Sequence, residues 1–595
     1  MQEIAAMFNT KRAFILSVLL VGLCYVNSLP NDFVFDDGPI VSSNPAIRAI
    51  TPIQFLTSPY WTKQQYWGIY RPFTIFSLSI DYRFWKRWAP GFRLTNLAVH
   101  AVNGFLVFLL CQSLAGSGVV PLVAMIVYLV HPIHTEAVTS IVGRSELFAA
   151  CFFIAAWLLF RRGRSVWASG AFFLALLSKE NAIVLPAILL LDMWFASPSG
   201  RGRREAPGER HGLTENPETL TLTSIEASPY RARGSRPRGR GWLRLAPIIF
   251  VSLAYLALRY HVLGGLGIPA AAQYMGGHLS YFSRVITSGR VFIQYLKLIV
   301  YPLNVAGDYD FNAIPIARIT DWDAWLGLLL VAVLIAFAWY TRHSRPLISF
   351  GLLFAMIALA PGSNWIMPIS VLMAERFLYL PLLGISLVAA IAYSELKDSR
   401  LRRLIGAGGI VTAIILCNSH DYIRRDDFTF FKNMVRVVPD SAKGRLGYGF
   451  ALIQKGRNDE AADQLEAGLR IIPDFPELLA TLALARSTSS SCVQSWPLLN
   501  RALEIDPGHA DTHRRMGDCY FKEGHIREAE AMYRQAVESI PNPDAMLYFM
   551  WGRSLEDIGE RTSAEAAYRR AALIDPDNVF IRQKLATADA DRTQD

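Results

Sequence analysis

Two adjacent carboxylates, Asp36 and Asp37 in FVFDDGPI, fall a few residues beyond an apolar block, Phe14 to Val26, that follows Lys11 and Arg12. Neighbouring carboxylates repel, and desolvation near a membrane surface raises at least one of their pKa values, which makes a better general base. Asp-Asp-Gly-Pro is also an ordinary solvated turn. The apolar flanks Val34, Phe35 and Ile40 favour partial burial and hence chemistry. A second group, HPIHTEAVTSIVGRSELF, holds His131, His134, Glu136, Arg144 and Glu146. Its HxxHxE spacing differs from the HExxH pattern that sets two ligands and a base on one helix, so no metal site is expected. Arg144 and Glu136 are costly to bury near hydrocarbon and are the better functional candidates; for His134 ordinary interfacial hydrogen bonding is the plainer reading. A third group, LLSKENAIVLP, puts Lys179 and Glu180 in a tight turn, where a snorkelling lysine is the alternative. With Arg71 in YRPF, Arg259, and Arg376 in AERFLYLP, these cations would gather on one side and hold a phosphate.

The elements that must position these groups are membrane helices. The chain has 595 residues, 52% hydrophobic and 18% charged, too apolar for a soluble enzyme and too long for one core. Apolar blocks recur near 14–26, 93–114, 118–133, 146–160, 166–178, 182–196, 243–262, 322–340, 346–360, 377–394 and 403–418, which gives eleven spans. A further stretch, 284–302, is interrupted by Arg284, Arg290 and Lys297 and reads as an amphipathic or re-entrant helix. With eleven spans and the N-terminus inside, Arg161, Arg162 and Arg164, segment 197–242, Arg342 with Arg345, and Lys397, Arg400, Arg402 and Arg403 all fall in the cytoplasm. That rule accounts for the formal charge of +10 without nucleic acid. The two long loops differ. Segment 197–242 is Arg-, Gly-, Ser- and Pro-rich and is expected to be a disordered cytoplasmic linker. Segment 30–92, with Trp61, Trp67, Trp85 and Trp88, is expected to be a structured first extracytoplasmic loop. The six cysteines give no disulfide or metal framework, Cys492 and Cys519 being isolated in the tail.

Residues 1–419 therefore form a membrane domain, and 420–595 a soluble one. In the latter Pro473, Pro507, Pro541 and Pro576 are spaced by 34, 34 and 35 residues, the period of tetratricopeptide (TPR) helix pairs. Small residues recur where paired helices must approach, at Gly449, Ala483, Gly517 and Gly552. Leu465, Leu499, Tyr533 and Tyr568 are expected to fill the groove between neighbouring pairs. Four repeats span 442–576, the second degraded at Ser489 to Ser491, and a capping helix follows at 577–590. The fold class is all-α, and by the span count the repeats lie outside the cytoplasm.

In order along the chain, VFDDGPIV, YRPFTIFSLSIDY, FRLTNLAVHAVN, HPIHTEAVTSIVGRSEL, LLSKENAIVLP, ERFLYLP and the repeat array together resemble the transmembrane and TPR-containing protein O-mannosyltransferase family. The resemblance implies a GT-C membrane fold and transfer of mannose from a polyprenyl-phosphate (dolichyl in eukaryotes) to Ser or Thr of exported proteins. It also implies an acidic catalytic residue in the first outer loop, Asp36 or Asp37. Four repeats and the Arg-rich insertion depart from the animal members and suit a prokaryotic relative with an undecaprenyl carrier, in the bacterial inner membrane; a eukaryotic chain would sit in the endoplasmic reticulum. No cofactor is expected beyond the lipid-phosphate sugar. The expected partners are that donor, membrane lipids and an acceptor polypeptide held by the repeats. A transferase acting on a glycan or lipid, a lipid flippase and a non-catalytic scaffold are the competing readings; a flippase would favour paired halves, and no internal repeat is visible in the spans.

Overall fold

A computed structural model describes residues 9–592 apart from 43, 45–46, 49–53, 57–59, 61–68, 197–241, 266–279, 310–312, 367–368, 370, 488–490 and 541–542. Trp61 and Trp67, and nearly all of the expected Arg-rich linker, lie outside the described residues. The chain is all-α; among the described residues the only β contact is an isolated bridge between Tyr309 and Met373.

Each expected apolar block is helical. The membrane domain comprises α1 (Thr10–Tyr25), α2 (Pro72–Trp85), α3 (Ala89–Ala115), α4 (Val119–Val130), α5 (Arg144–Arg161), α6 (Ser165–Ser178) and α7 (Leu185–Ala196). It continues with α8 (Ala246–Leu263), α9 (Tyr281–Val300), α10 (Trp322–Thr341), α11 (Pro346–Leu359), α12 (Pro381–Glu395) and α13 (Ser399–Ile423). Among the described residues six helices are long and apolar enough to cross a membrane, and α4 with the bent segment Pro132–Thr139 makes a seventh if it is one span. The expected eleven blocks are thus all helices, but not all are of crossing length. The segments at 166–178, 182–196, 346–360 and 377–394 give helices of 14, 12, 14 and 15 residues, against about 20 for a straight crossing. Their ends are cut short by the polar motifs: α6 stops at Lys179, and α12 starts only after Glu375–Leu378 has formed a 3-10 turn.

The interrupted stretch at 284–302 is the amphipathic helix α9. Its buried face carries Ile286, Val291, Phe292, Tyr295 and Leu298. It packs backbone to backbone on α10, because Gly289 and Gly327 face each other: a Cβ on Gly289 would meet the Ala324 carbonyl oxygen at 2.1 Å. Arg290 clamps the same pair through Asp321 and Asp323, at 3.0 and 2.7 Å.

Beyond α14 (Asp427–Val437) four helix pairs form the repeat array: α15 (Ala442–Gln454) with α16 (Asn458–Ile471), α17 (Pro476–Arg486) with α18 (Trp496–Ile505), α19 (Ala510–Lys522) with α20 (Ile526–Ser539), and α21 (Ala545–Asp557) with α22 (Arg561–Ile574). The capping helix is α23 (Val579–Arg592). Small and large positions meet inside each pair rather than only between pairs. A Cβ on Gly449 would lie 2.6 Å from Leu465, one on Gly517 2.8 Å from Tyr533, and one on Gly552 2.7 Å from Tyr568. The large residues serve both contacts: each of these three fills the notch opened by its own pair's glycine, and Leu465 and Tyr533 also share a core with Leu478 and Leu547 of the next pair, as expected.

The cysteine reading is also corrected. Cys492 and Cys519 form a disulfide with Cα atoms 5.6 Å apart. Stacking α17, α18 and α19 brings Cys492, ahead of α18, onto Cys519 in α19 of the third repeat, so a separation of 27 residues closes in space; the degraded turn at Ser489 and Ser490 lies outside the described residues. The remaining cysteines, Cys24, Cys111, Cys151 and Cys417, are free.

The array is moored to the membrane domain at both ends. At its start, Asp32 N–H donates to the Arg425 carbonyl at 2.9 Å and Asn433 Nδ2 to the Val305 carbonyl at 2.8 Å. At its far end, Arg48 donates to the Ile574 carbonyl, and Arg87 Nη2 lies 2.8 Å from Asp575 Oδ1.

Candidate functional site

The two aspartates have different surroundings. Phe35, at φ 54°, throws the chain into a tight turn in which Asp37 N–H donates to the Val34 carbonyl and Gly38 N–H to that of Phe35. A left-handed phenylalanine is unfavourable unless its surroundings hold it. Here the Phe35 N–H donates to Asp427 Oδ1 at 2.8 Å, and its ring stacks on Phe430 at 5.4 Å and meets Phe431 edge-on at 5.8 Å. The turn buries Asp37, whose carboxylate accepts from Val142 N–H at 2.9 Å, Ile141 N–H at 3.2 Å and Ser140 Oγ at 3.3 Å. Asp37 thereby fastens the loop ahead of α5. Asp36 is half-buried and, among the described residues, makes no hydrogen bond or ion pair through its carboxylate. Burial pushes its pKa up; Lys443 and Arg376 oppose that, and Asp308 and Asp37 add to it.

Around Asp36 the expected cations arrive from separate helices. Arg71, ahead of α2, makes a two-pronged contact with Glu180, Nε to Oε2 at 3.0 Å and Nη2 to Oε1 at 2.7 Å, with its guanidinium 5.2 Å from the Tyr60 ring centre. Lys179 pairs with Glu146. Arg376 pairs with Glu136 through its side chain, and its backbone N–H donates to Glu136 Oε2 at 2.7 Å. Phe377 has the Lys179 ammonium 5.2 Å and the Arg376 guanidinium 5.6 Å from its ring centre, so one ring holds two cations in place. Burial lowers the Lys179 ammonium to about 8 against the pull of Glu146. Burial alone would raise Glu180, but Arg71, joined by Arg259 and Lys179, holds its carboxyl well below the usual range. Tyr60, buried, feels Arg71, Asp36, Asp37 and Arg376 together.

Asp36, Arg71, Glu136, Lys179, Glu180, Arg259 and Arg376 thus form one electrostatic neighbourhood. Arg144 and His131 stand behind it. The Arg144 guanidinium is fully buried, ion-paired to Asp81 and donating to Asn96 Oδ1 at 3.0 Å and the Phe92 carbonyl at 2.9 Å, which ties α2 and α3 to α5. His131 Nε2 lies 3.0 Å from the Ile299 carbonyl and braces the end of α9. His134 packs among His100, Tyr128 and Tyr379. Sequence reading overlooked Tyr60, Asp308, Glu375 and Lys443. Glu375 Oε1 accepts from Ala306 N–H at 2.9 Å, Gly307 N–H at 3.2 Å and Tyr309 OH at 2.8 Å, fixing the loop that carries Asp308. Its place beside Arg376 was the available signal. Lys443 gave none, because its position reads as an ordinary repeat residue.

The array matches tetratricopeptide-repeat family models at residues 497–548 and 546–578. The whole chain is similar to the human protein O-mannosyl-transferase TMTC3, 24% identical over 622 residues, covering 96% of this chain and 65% of the human protein. It is similar to Drosophila melanogaster Tmtc3 at 25% over 585 residues, 87% of this chain and 62% of that protein. Human TMTC4 matches at 25% over 494 residues, 74% of this chain and 63% of its own length. The chain therefore spans just under two thirds of these relatives. The repeat protein TTC0263 of Thermus thermophilus matches 32% of this chain and 95% of its own at 18% identity, TM-score 0.25. The similarity to TMTC-type protein O-mannosyl-transferases, with repeats at the C-terminal end, extends across most of the sequence.

Proposed function

We propose that this chain is an inverting membrane glycosyltransferase that moves mannose, or a related hexose, from a polyprenyl-phosphate sugar to Ser or Thr hydroxyls of exported proteins. The observation that carries the reading is a half-buried carboxylate, Asp36, without a partner among the described residues, set against Arg376 and a wider ring of cations at one end of an apolar helix bundle. The acceptor oxygen attacks the anomeric carbon, the bond from that carbon to the phosphate oxygen breaks, and the phosphate leaves with the electron pair. Asp36 takes the hydroxyl proton, worth roughly 10² to 10⁴ in rate. Arg71, Lys179, Arg259 and Arg376 face the charge that grows on the phosphate, the part a metal would otherwise play. Asp37, occupied by three donors, shapes the loop.

The apolar helices keep the isoprenoid tail in hydrocarbon while its head reaches Asp36. Eleven crossings with a cytoplasmic N-terminus would put the site and the array outside the cytoplasm. The Cys492–Cys519 disulfide supports that orientation, since such bonds persist in oxidising compartments. The array would present the acceptor polypeptide. The test is transfer of labelled sugar from synthetic polyprenyl-phosphate mannose by purified protein, wild type beside Asp36→Asn. Transfer to a glycan or lipid but to no peptide would select the other acceptor class, and Asp36→Asn with wild-type rates would reject the mechanism.

A further inference from the structure

The repeat array does more than touch the membrane domain; it lends the site a charge. Lys443 is the second residue of α15, the first helix of the first repeat, and reaches away from the array. Its ammonium pairs with Asp308, which is 1% exposed, and stands 4.7 Å from the ring centre of Phe35, the residue next to Asp36. Asp308 is held by a loop whose backbone N–H groups at Ala306 and Gly307 are fixed by Glu375, and Glu375 is itself 3.6 Å from Arg424. From α14, Phe430 and Phe431 pack against the ring of Phe35 and Asp427 accepts from its backbone N–H. The turn that carries Asp36 is therefore walled on one side by residues 427–443.

We propose that Lys443 is a positioning residue of the membrane site, so that the repeat array completes the catalytic apparatus as well as presenting an acceptor. This rests on the transferase reading of Asp36 and deepens it. A solenoid used only for docking has no need to place a cation beside the base of another domain, and Lys443 cannot leave without stripping Asp308 of its ion pair and Phe35 of its cation. The charged groups that act on Asp36 come from four elements: Lys443 from α15, Arg376 from the turn ahead of α12, Asp308 from the loop after α9, and Asp37 from its own turn, with Tyr60 beside them. Lys443 and Arg376 favour the ionised carboxylate; Asp308 and Asp37 oppose it.

Two substitutions should then act in opposite directions. Lys443→Gln removes a favourable charge, raises the Asp36 pKa, and moves the acid limb of the transfer profile to higher pH. Asp308→Asn removes an unfavourable one and moves it to lower pH. Lys443→Arg restores the wild-type limb. The same shifts should appear without any activity in the pH dependence of carbodiimide labelling of Asp36 in the purified full-length protein, read by peptide mass. If labelling moves as stated while no sugar is transferred under any condition, the transferase reading fails and the placement of Lys443 stands. Unchanged midpoints in Lys443→Gln, or shifts of the same sign in both variants, would overturn the proposal. So would failure of Lys443→Arg to rescue.

Discussion

Replacing each aspartate of the pair by asparagine separates a base from a brace. Asp37→Asn keeps size and shape but exchanges one carboxylate oxygen for an NH₂ group that cannot accept. Both oxygens are in use, Oδ1 by Val142 N–H and Ser140 Oγ and Oδ2 by Ile141 N–H, so at least one buried donor loses its acceptor. An unsatisfied buried group costs about 1–3 kcal/mol. Bonds to a charged acceptor are worth about 1.5–3 kcal/mol each, so the loss should lie at the upper end of that range. Asp36→Asn removes no hydrogen bond among the described residues and relieves the burial of a charge that pushes its pKa up, so it should not destabilise the fold. Its transfer rate should fall by about 10²- to 10⁴-fold. The assay is paired: thermal unfolding of each variant in one detergent, and single-turnover transfer from labelled polyprenyl-phosphate mannose. Asp36→Asn should be stable and inactive. Asp37→Asn should be destabilised and, where still folded, retain much of its rate. A stable Asp37→Asn protein without activity, beside an active Asp36→Asn, would refute the assignment drawn from the hydrogen bonds.

Lys179, lowered by burial to about 8, loses its charge as pH rises through that value, so the KM for donor should rise above pH 8; Lys179→Arg, whose guanidinium stays protonated, should abolish that alkaline limb. Opening the disulfide with Cys519→Ser should destabilise the array by about 3.5 kcal/mol, the loop-entropy value for a separation of 27 residues, seen as a lower Tm that no longer responds to reductant. Transfer should survive EDTA, because four cationic side chains are proposed to meet the phosphate; a strong loss restored by one divalent ion would reject that part of the mechanism.

The repeat period was legible because prolines terminate helices at fixed intervals, and the glycines of α15, α19 and α21 could be assigned to close approaches from spacing alone. The amphipathic character of α9 followed from its interrupting arginines. Which aspartate is free did not follow: the difference lies in donors at residues 140–142, about a hundred positions away, that select Asp37. Arg144 looked functional for the sound reason that burying it is costly; Asp81, Asn96 and the Phe92 carbonyl meet part of that cost, while its buried Nη1 has no hydrogen-bond partner among the described residues. Helix lengths fell short where Lys179 and Glu375 end or delay α6 and α12, because a hydropathy window runs across a polar break that a backbone must obey. The disulfide was missed since each cysteine looks solitary in its own repeat, and only the stacking of neighbours pairs them.

The mooring of the repeat array at both Phe35 and Arg48 has a mechanical corollary. A solenoid whose repeats touch only their neighbours stretches and bends like a soft spring. One tied down at a single point would let a bound chain flex it freely. Tied at two points, with Phe35 near its start and Arg48 at its far end, it can flex only between them. A load on one repeat is then shared by two anchors, and the first of them adjoins Asp36.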